Sequence, residues 1–353
     1  MSGTTDGARG AWAVPTFPYE PVGGPPELVT VDGALLTEVR RGRLRTVAEP
    51  TEWIRGAVHD GDGRLVESSQ KIGGLGGAQV APADPERVPA RRLRRTARRL
   101  EGTWLYGGHW TQHFGHFFLE TLTTLWPTLG AGDVAGIVFH NWGHRFRGVS
   151  PWQRELLGLA GRGESPFVVV HDDPHQVDTL LVPGRGLVVN GWAWPQARSV
   201  WELMATNAAE PDAVRAPGSG GRVFLSRTSF NDRRRAEGRP TRTDAGRDRA
   251  LDDAFADAGF AVVAPEQLPL REQLRLAAGA ALLAGSAGSA LHLSAFAPPS
   301  ARVLELGDPR SPDVQVPSQR VIDRACGHRS AFVPYDVAAP DLGERLAVLL
   351  AGC

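Results

Sequence analysis

Short apolar runs broken by Gly and Asp fill residues 28–80, as in Leu28-Val29-Thr30-Val31-Asp32-Gly33 and Val58-His59-Asp60-Gly61-Asp62-Gly63. Asp-Gly pairs between such runs predict hairpins, hence a small antiparallel section. From residue 134 the rhythm changes. Gly136–His140, Phe167–Val170 and Thr179–Val182 read as buried strands, while Pro151–Leu159 and Pro195–Ala208 carry helical spacing. That alternation predicts an α/β layer with parallel pairing.

The second half repeats the alternation more cleanly. Strands are expected at Arg222–Ser226, Phe260–Val263, Ala281–Ala284 and Arg302–Leu306, and helices at Arg247–Ala258 and Leu270–Gly279. Arg227–Asp244 reads as a charged loop, and residues 340–351 as a closing helix. Strands joined by helices in this way imply a doubly wound parallel sheet, with ligands at the carboxyl ends of its strands. The Pro- and Gly-rich stretch 210–221 is the clearest linker. The expected organisation is therefore a loose tail over 1–26, an α/β domain over 27–209, a linker over 210–221 and a second α/β domain over 222–353.

Within the second half, Gly285-Ser286-Ala287-Gly288-Ser289-Ala290-Leu291-His292 follows a strand and opens a helical pattern. A strand, a Gly/Ser elbow and a helix start can hold an anion, because free N–H groups and the helix dipole point at it. Taken alone, the elbow reads equally well as a bare turn.

Composition narrows the partners. Formal net charge is zero and 22% of residues are charged, so no overall field favours nucleic acid or an anionic membrane. Arg91–Leu100 is strongly basic but lacks the aromatic interleaving of nucleic-acid platforms; it reads as a solvated helix face or a surface strand. The two cysteines, Cys326 and Cys353, form no disulfide framework. With no apolar run of membrane-spanning length and no leader pattern, the expected location is cytoplasmic, with peripheral attachment at the inner membrane face left open. Lys71 is the only lysine among 39 Lys and Arg residues, and Gly is abundant, a bias typical of GC-rich genomes. Lys71-Ile72-Gly73-Gly74-Leu75-Gly76-Gly77 lacks the full phosphate-loop pattern and reads as a flexible loop.

The second chemical stretch is His109–Pro127. Phe118, Leu122 and Leu125 fall at helical spacing, and Pro127 is expected to end the run. His113, His116 and Glu120 share one face at i, i+3 and i+7, so His116 and Glu120 can bond each other or act on one substrate. His109, His113 and His116 also have a spacing that can present three imidazoles to zinc. Trp110, Trp142, Trp192 and Trp194 are candidates for a sugar-stacking wall. Arg234, Arg235, Arg239 and Arg242 read as solvated loop charges.

In their order, these blocks resemble family-61 glycosyltransferases, which include capsular-polysaccharide biosynthesis proteins. The matching segments are His116–Glu120, Val223–Arg227 with Arg233-Arg234, Gly259–Leu268, Glu272–Leu276, the Gly285 elbow, Phe296–Pro299 and Val303–Leu306, over roughly residues 100–310. His113, Thr123-Thr124 and Ser286-Ala287 depart from the family's usual residues. The resemblance implies two Rossmann-like domains of the GT-B type facing a central cleft. It implies a bacterial enzyme that moves a sugar, by inversion and without a metal or other cofactor, from a nucleotide-diphosphate sugar, UDP-linked by expectation, to a glycan or small-molecule hydroxyl. His116, Glu120 and His113 are the expected catalytic residues. Ser226, Arg227, Arg233, Gly285, Ser286, Gly288, Ser289, His292 and Glu305 are the expected donor-binding residues, with Glu305 taking ribose hydroxyls. The alternatives are a non-catalytic nucleotide-sugar- or glycan-binding relative and a His-cluster metal hydrolase.

Overall fold

The structure, a computed structural model, describes residues 12–21, 23–43, 52–71, 73–75, 78–80, 84–129, 134–142, 148–209, 221–336 and 339–351. Linker residues 210–220, as well as His144 and Cys353, lie outside the described residues. The chain divides into two compact units, Tyr19–Asn207 and Ala208–Cys353 with Met1–Pro18.

The first unit is built on a six-stranded sheet. Its strands are β1 (Leu28–Leu36), β2 (Val58–His59), β3 (Arg98–Trp110), β4 (Gly136–Asn141), β5 (Phe167–Val170) and β6 (His175–Pro183), in the order β2-β1-β6-β3-β4-β5. β6, β3, β4 and β5 are parallel, whereas β1 pairs antiparallel with β6 and β2. The sheet is thus mixed and parallel-rich. The antiparallel expectation holds in part. Asp60–Gly63 does turn the chain, with His59 bridged to Leu65. Asp32-Gly33 does not: β1 runs on through it, because Asp32 continues the ladder opposite Thr179 and accepts that residue's hydroxyl at 2.9 Å. The basic Arg91–Leu100 segment is both things anticipated, an exposed helix over Ala90–Thr96 followed by the exposed start of β3.

β3 is the central strand and is buried from Trp104 to Trp110, the continuous apolar run expected where both faces are covered. Trp110 packs on Phe117, Phe139 and Phe167 at centroid distances of 4.9, 5.0 and 5.3 Å. It is core, not part of a sugar wall.

The second unit holds a five-stranded, all-parallel sheet: β7 (Arg222–Leu225), β8 (Ala261–Val263), β9 (Leu282–Ser286), β10 (Arg302–Leu306) and β11 (Arg329–Val333), ordered β8-β7-β9-β10-β11. β11 and the helix Pro317–Cys326 that leads to it escaped the sequence reading. The chain winds one way from β7 to β8 and the other way from β9 to β11, so the order reverses between β7 and β9. In such sheets, ligands bind outside the carboxyl ends of the strands at that reversal. Phe224, Phe255 and Phe260 form the aromatic centre of the core, the first two stacked at 4.0 Å. Trp12 closes the same core, its indole N–H donating to Leu349 O at 3.0 Å.

Candidate functional site

In the first unit, the chemistry sits on a helical segment, Phe114–Leu129, that is irregular throughout. It opens as an α-turn, widens into a π-helical turn over Phe117–Thr121 and tightens to a 3-10 form from Leu122. π turns of this kind are frequent at functional sites. Pro127 does not end the run, because the 3-10 stretch carries on to Leu129. Side chains take up the carbonyls along the widened turn. The Trp201 indole donates to Phe118 O at 3.3 Å, Thr123 Oγ1 to Leu119 O at 2.6 Å and Thr124 Oγ1 to Glu120 O at 2.9 Å. Thr123-Thr124 therefore brace the segment that presents His116 and Glu120.

His116 Nδ1 lies 2.6 Å from Glu120 Oε2, and Lys71 Nζ donates to Glu120 Oε1 at 2.5 Å. Lys71 and Glu120 are each 7% exposed at the side chain, whereas His116 is 45% exposed. Burial pushes the Glu120 carboxyl upward, but Lys71 and His116 outweigh it and hold the group at about 2. Glu120 is therefore an anion with both oxygens engaged. Burial also pulls the Lys71 ammonium down, against the field of Glu120, and the ammonium lies 5.1 Å from the Trp142 ring centre. Lys71 is thus a buried partner of Glu120, while Ile72, Gly76 and Gly77 of the expected loop lie outside the described residues. His113 flanks His116 with ring centroids 4.8 Å apart.

His109 takes a different course. The ladder of β3 is irregular between Tyr106 and His109, and Gly108 sits at φ +77° with a guanidinium nitrogen of Arg185 where a side chain would begin. This bulge aims His109 among Tyr106, His140 and Trp142. Arg185 donates to His109 Nδ1 at 3.0 Å and to Gln70 O at 3.1 Å. Arg has no acceptor, so Nδ1 carries no proton and the imidazole is neutral. Burial, Arg185 and His140 keep its pKa well below the ordinary histidine value. The three imidazoles are thus not gathered on one point, and among the described residues no group of three His, Cys, Asp or Glu is placed to hold a metal ion.

In the second unit, Leu225 of β7 lies opposite Gly285 of β9, so Arg227 and the elbow leave the same edge of the sheet. Gly288, at φ +141°, has Nη1 of Arg227 and Nη1 of Arg242 at 3.2 and 3.3 Å from where a Cβ would stand. Arg242 and Arg310 both donate to Ala287 O, at 3.2 and 3.3 Å, and to Asp308 Oδ2, at 3.0 and 2.7 Å. Burial pushes the Asp308 carboxyl upward, but Arg310 and Arg242 hold it below the usual range. Two guanidiniums thus share one carboxylate, and the third, Arg227, joins Arg242 beside the elbow, so positive charge outnumbers the carboxylate there. Asn231, Thr243 and Asp248 bond one another beneath the loop that carries Arg242. Arg242 is therefore paired to Asp308 beside the elbow rather than a solvated loop charge, and part of the expected loop is the helix Thr228–Ala236.

The other expected donor residues have different partners. Ser226 Oγ donates to Asp252 at 3.0 Å and accepts the Thr228 N–H. The Arg233 guanidinium lies over Phe230, as do those of Arg227 and Arg234. The helix expected after the elbow is a buried six-residue 3-10 turn, Leu291–Phe296. Its His292 is tied to Gln319 at 3.0 Å. Gly285 lies within β9, which ends at Ser286, and Ser289 is half-buried beside Gly288. Glu305 is wholly buried: Val316 N–H donates to Oε1 at 3.3 Å, and Oε2 meets no donor among the described residues. Burial, with Asp323 and Asp308 nearby, pushes its carboxyl well above the usual range.

Among the described residues, no helix is long and apolar enough to cross a membrane. No curated protein matches the chain. The family model for Glycosyltransferase 61 matches residues 114–304, the larger part of the chain, from the helix of His116 through Arg227, Arg242 and the Gly288 elbow into β10. The chain belongs to the glycosyltransferase 61 family.

Proposed function

We propose that the protein transfers a sugar from a nucleotide-diphosphate sugar to a hydroxyl of a glycan or small-molecule acceptor, with inversion. The observation that carries this reading is the grouping of Arg227 and Arg242 at Gly288, with Arg310 on the neighbouring Ala287 carbonyl, at the strand-order reversal. A diphosphate needs several donors of positive charge, and guanidiniums meet phosphate oxygens in bidentate fashion. The same groups stabilise charge that develops on the departing nucleotide. A doubly wound sheet in one unit and a parallel-rich sheet in the other support the GT-B reading. In that reading residues 222–353 form the donor side and residues 27–209 the acceptor side.

His116 is the general base. Glu120 is ionised and saturated by two partners, so it is a poor proton acceptor. It accepts a hydrogen bond from His116 Nδ1–H and leaves Nε2 to receive the proton of the acceptor hydroxyl. Glu120 orients the ring and stabilises the imidazolium that forms, and Lys71 keeps Glu120 anionic. Calorimetry of the full chain against UDP, GDP, CDP and their sugars tests the donor assignment. Binding of at least one is expected; binding of none overturns it. Binding without turnover across an acceptor panel would leave a nucleotide-sugar-binding protein and overturn the transfer step.

A further inference from the structure

One cavity of the unit Tyr19–Asn207 has no part in that scheme. It measures about 430 Å³ and is walled chiefly by Pro26, Glu27, Ser68, Arg185, Trp192 and Trp194. The size is that of small-molecule sites, roughly 300–1,000 Å³. Trp192 and Trp194 both line the cavity, the first buried and the second half-buried. The surrounding backbone is tied in place. Gly184 N–H donates to Glu27 O at 2.7 Å, Trp194 N–H to Gly186 O at 2.8 Å and the Trp126 indole to Gly184 O at 3.0 Å. Arg185 is held by Gln70 O and by His109. Ser68 Oγ is shielded from solvent and has no hydrogen-bond partner among the described residues.

We propose that this cavity is a carbohydrate subsite that takes one neutral pyranose unit of the acceptor. The term acceptor rests on the transferase reading; the sugar chemistry does not. Indole faces are electron-rich and meet the C–H face of a pyranose, while their edges leave its hydroxyls free. Around them stand an acceptor-only carboxylate in Glu27 and a donor-only guanidinium in Arg185. Opposite charges on the wall disfavour a phosphate or a strongly charged sugar and suit neutral hydroxyls. Arg185 also feels the field of Glu120, which couples the wall of the cavity electrostatically to that carboxylate. Binding energy gathered on a non-reacting part of the substrate is a recognised source of catalytic power.

Saturation-transfer NMR of the full chain with methyl gluco-, galacto- and mannopyranoside tests the subsite. Transfer to the ring protons of at least one is expected, with affinity falling about tenfold or more in Trp194→Ala and severalfold in Glu27→Ala. Arg242→Ala, in the other unit, should leave it unchanged. Glu27 is exposed, so its variant keeps the test alive if Trp194→Ala does not fold. Absence of any signal, or equal signals in wild type and the cavity variants, overturns the subsite. Nucleotide calorimetry on the same preparations separates the two claims. Nucleotide binding without cavity-dependent pyranoside binding removes the subsite alone. Cavity-dependent pyranoside binding by a chain that binds no nucleotide removes the transferase reading and keeps the subsite.

Discussion

Each unit buries a glutamate, and the two have opposite fates. Glu120 is 7% exposed and Glu305 fully buried, so burial drives both toward the neutral acid. Glu120 meets an ammonium at 2.5 Å and an imidazole at 2.6 Å and stays ionised at about 2. Glu305 meets one backbone N–H at 3.3 Å, with Asp308 and Asp323 nearby, and is pushed well up. Immediate partners, not depth, decide the charge. One carboxyl is held as an anion beside His116, and the other is pushed toward the neutral acid within a buried polar cluster. The positive charge that Glu305 lacks has gathered instead at the elbow.

The largest expected break in this contrast is at its working end. His116→Ala should lower kcat by about 10²- to 10⁴-fold, the usual contribution of a general base; transfer at the wild-type rate would remove His116 from the mechanism. Lys71→Met comes next. It strands Glu120 as a buried charge and should cost about 3–5 kcal/mol in urea unfolding, much of it recovered in the Lys71→Met/Glu120→Gln double variant. Because the folded-state pKa of Glu120 is depressed, its stabilising contribution is full above its ordinary value of 4.5 and is lost as pH falls toward about 2. That acid-side loss should shrink in Lys71→Met.

Arg242→Ala should weaken nucleotide-diphosphate binding by roughly 10- to 100-fold, the worth of one or two charged hydrogen bonds; unchanged calorimetry would detach the elbow from the donor. Glu305→Gln is the gentlest change and has the opposite sign to Glu120. A raised carboxyl stabilises fully below its ordinary pKa, and that contribution declines as pH rises toward the folded-state value. Glu305→Gln should therefore flatten the loss of stability as pH rises above the ordinary carboxyl value of 4.5, read from melting temperatures across buffers.

Much of the frame was legible in the chain. Apolar runs ending in Gly or Ser marked β7, β9 and β10, and i, i+4 spacing brought His116 to Glu120. Contacts far apart in sequence were not legible. Arg242 lies 45 residues from Ala287 and Lys71 lies 49 from Glu120, and no local period encodes either pairing. Arg310 and Asp308 fell just beyond the blocks that carried the family resemblance. β11 was missed because Arg329-Ser330 begins it, so the strand reads polar although Ala331 and Val333 are buried. One compositional clue to Lys71 was available: a chain that uses arginine almost everywhere keeps lysine at a single position.

That singularity has a practical side. Apart from the α-amine, an acylating reagent finds one side-chain amine in the whole chain, and that amine is clasped by Glu120 beneath Trp142. Its acylation should be slow and should track the opening of the clasp. A mass shift on one proteolytic peptide would then time that opening in the unmodified protein, with no engineered label.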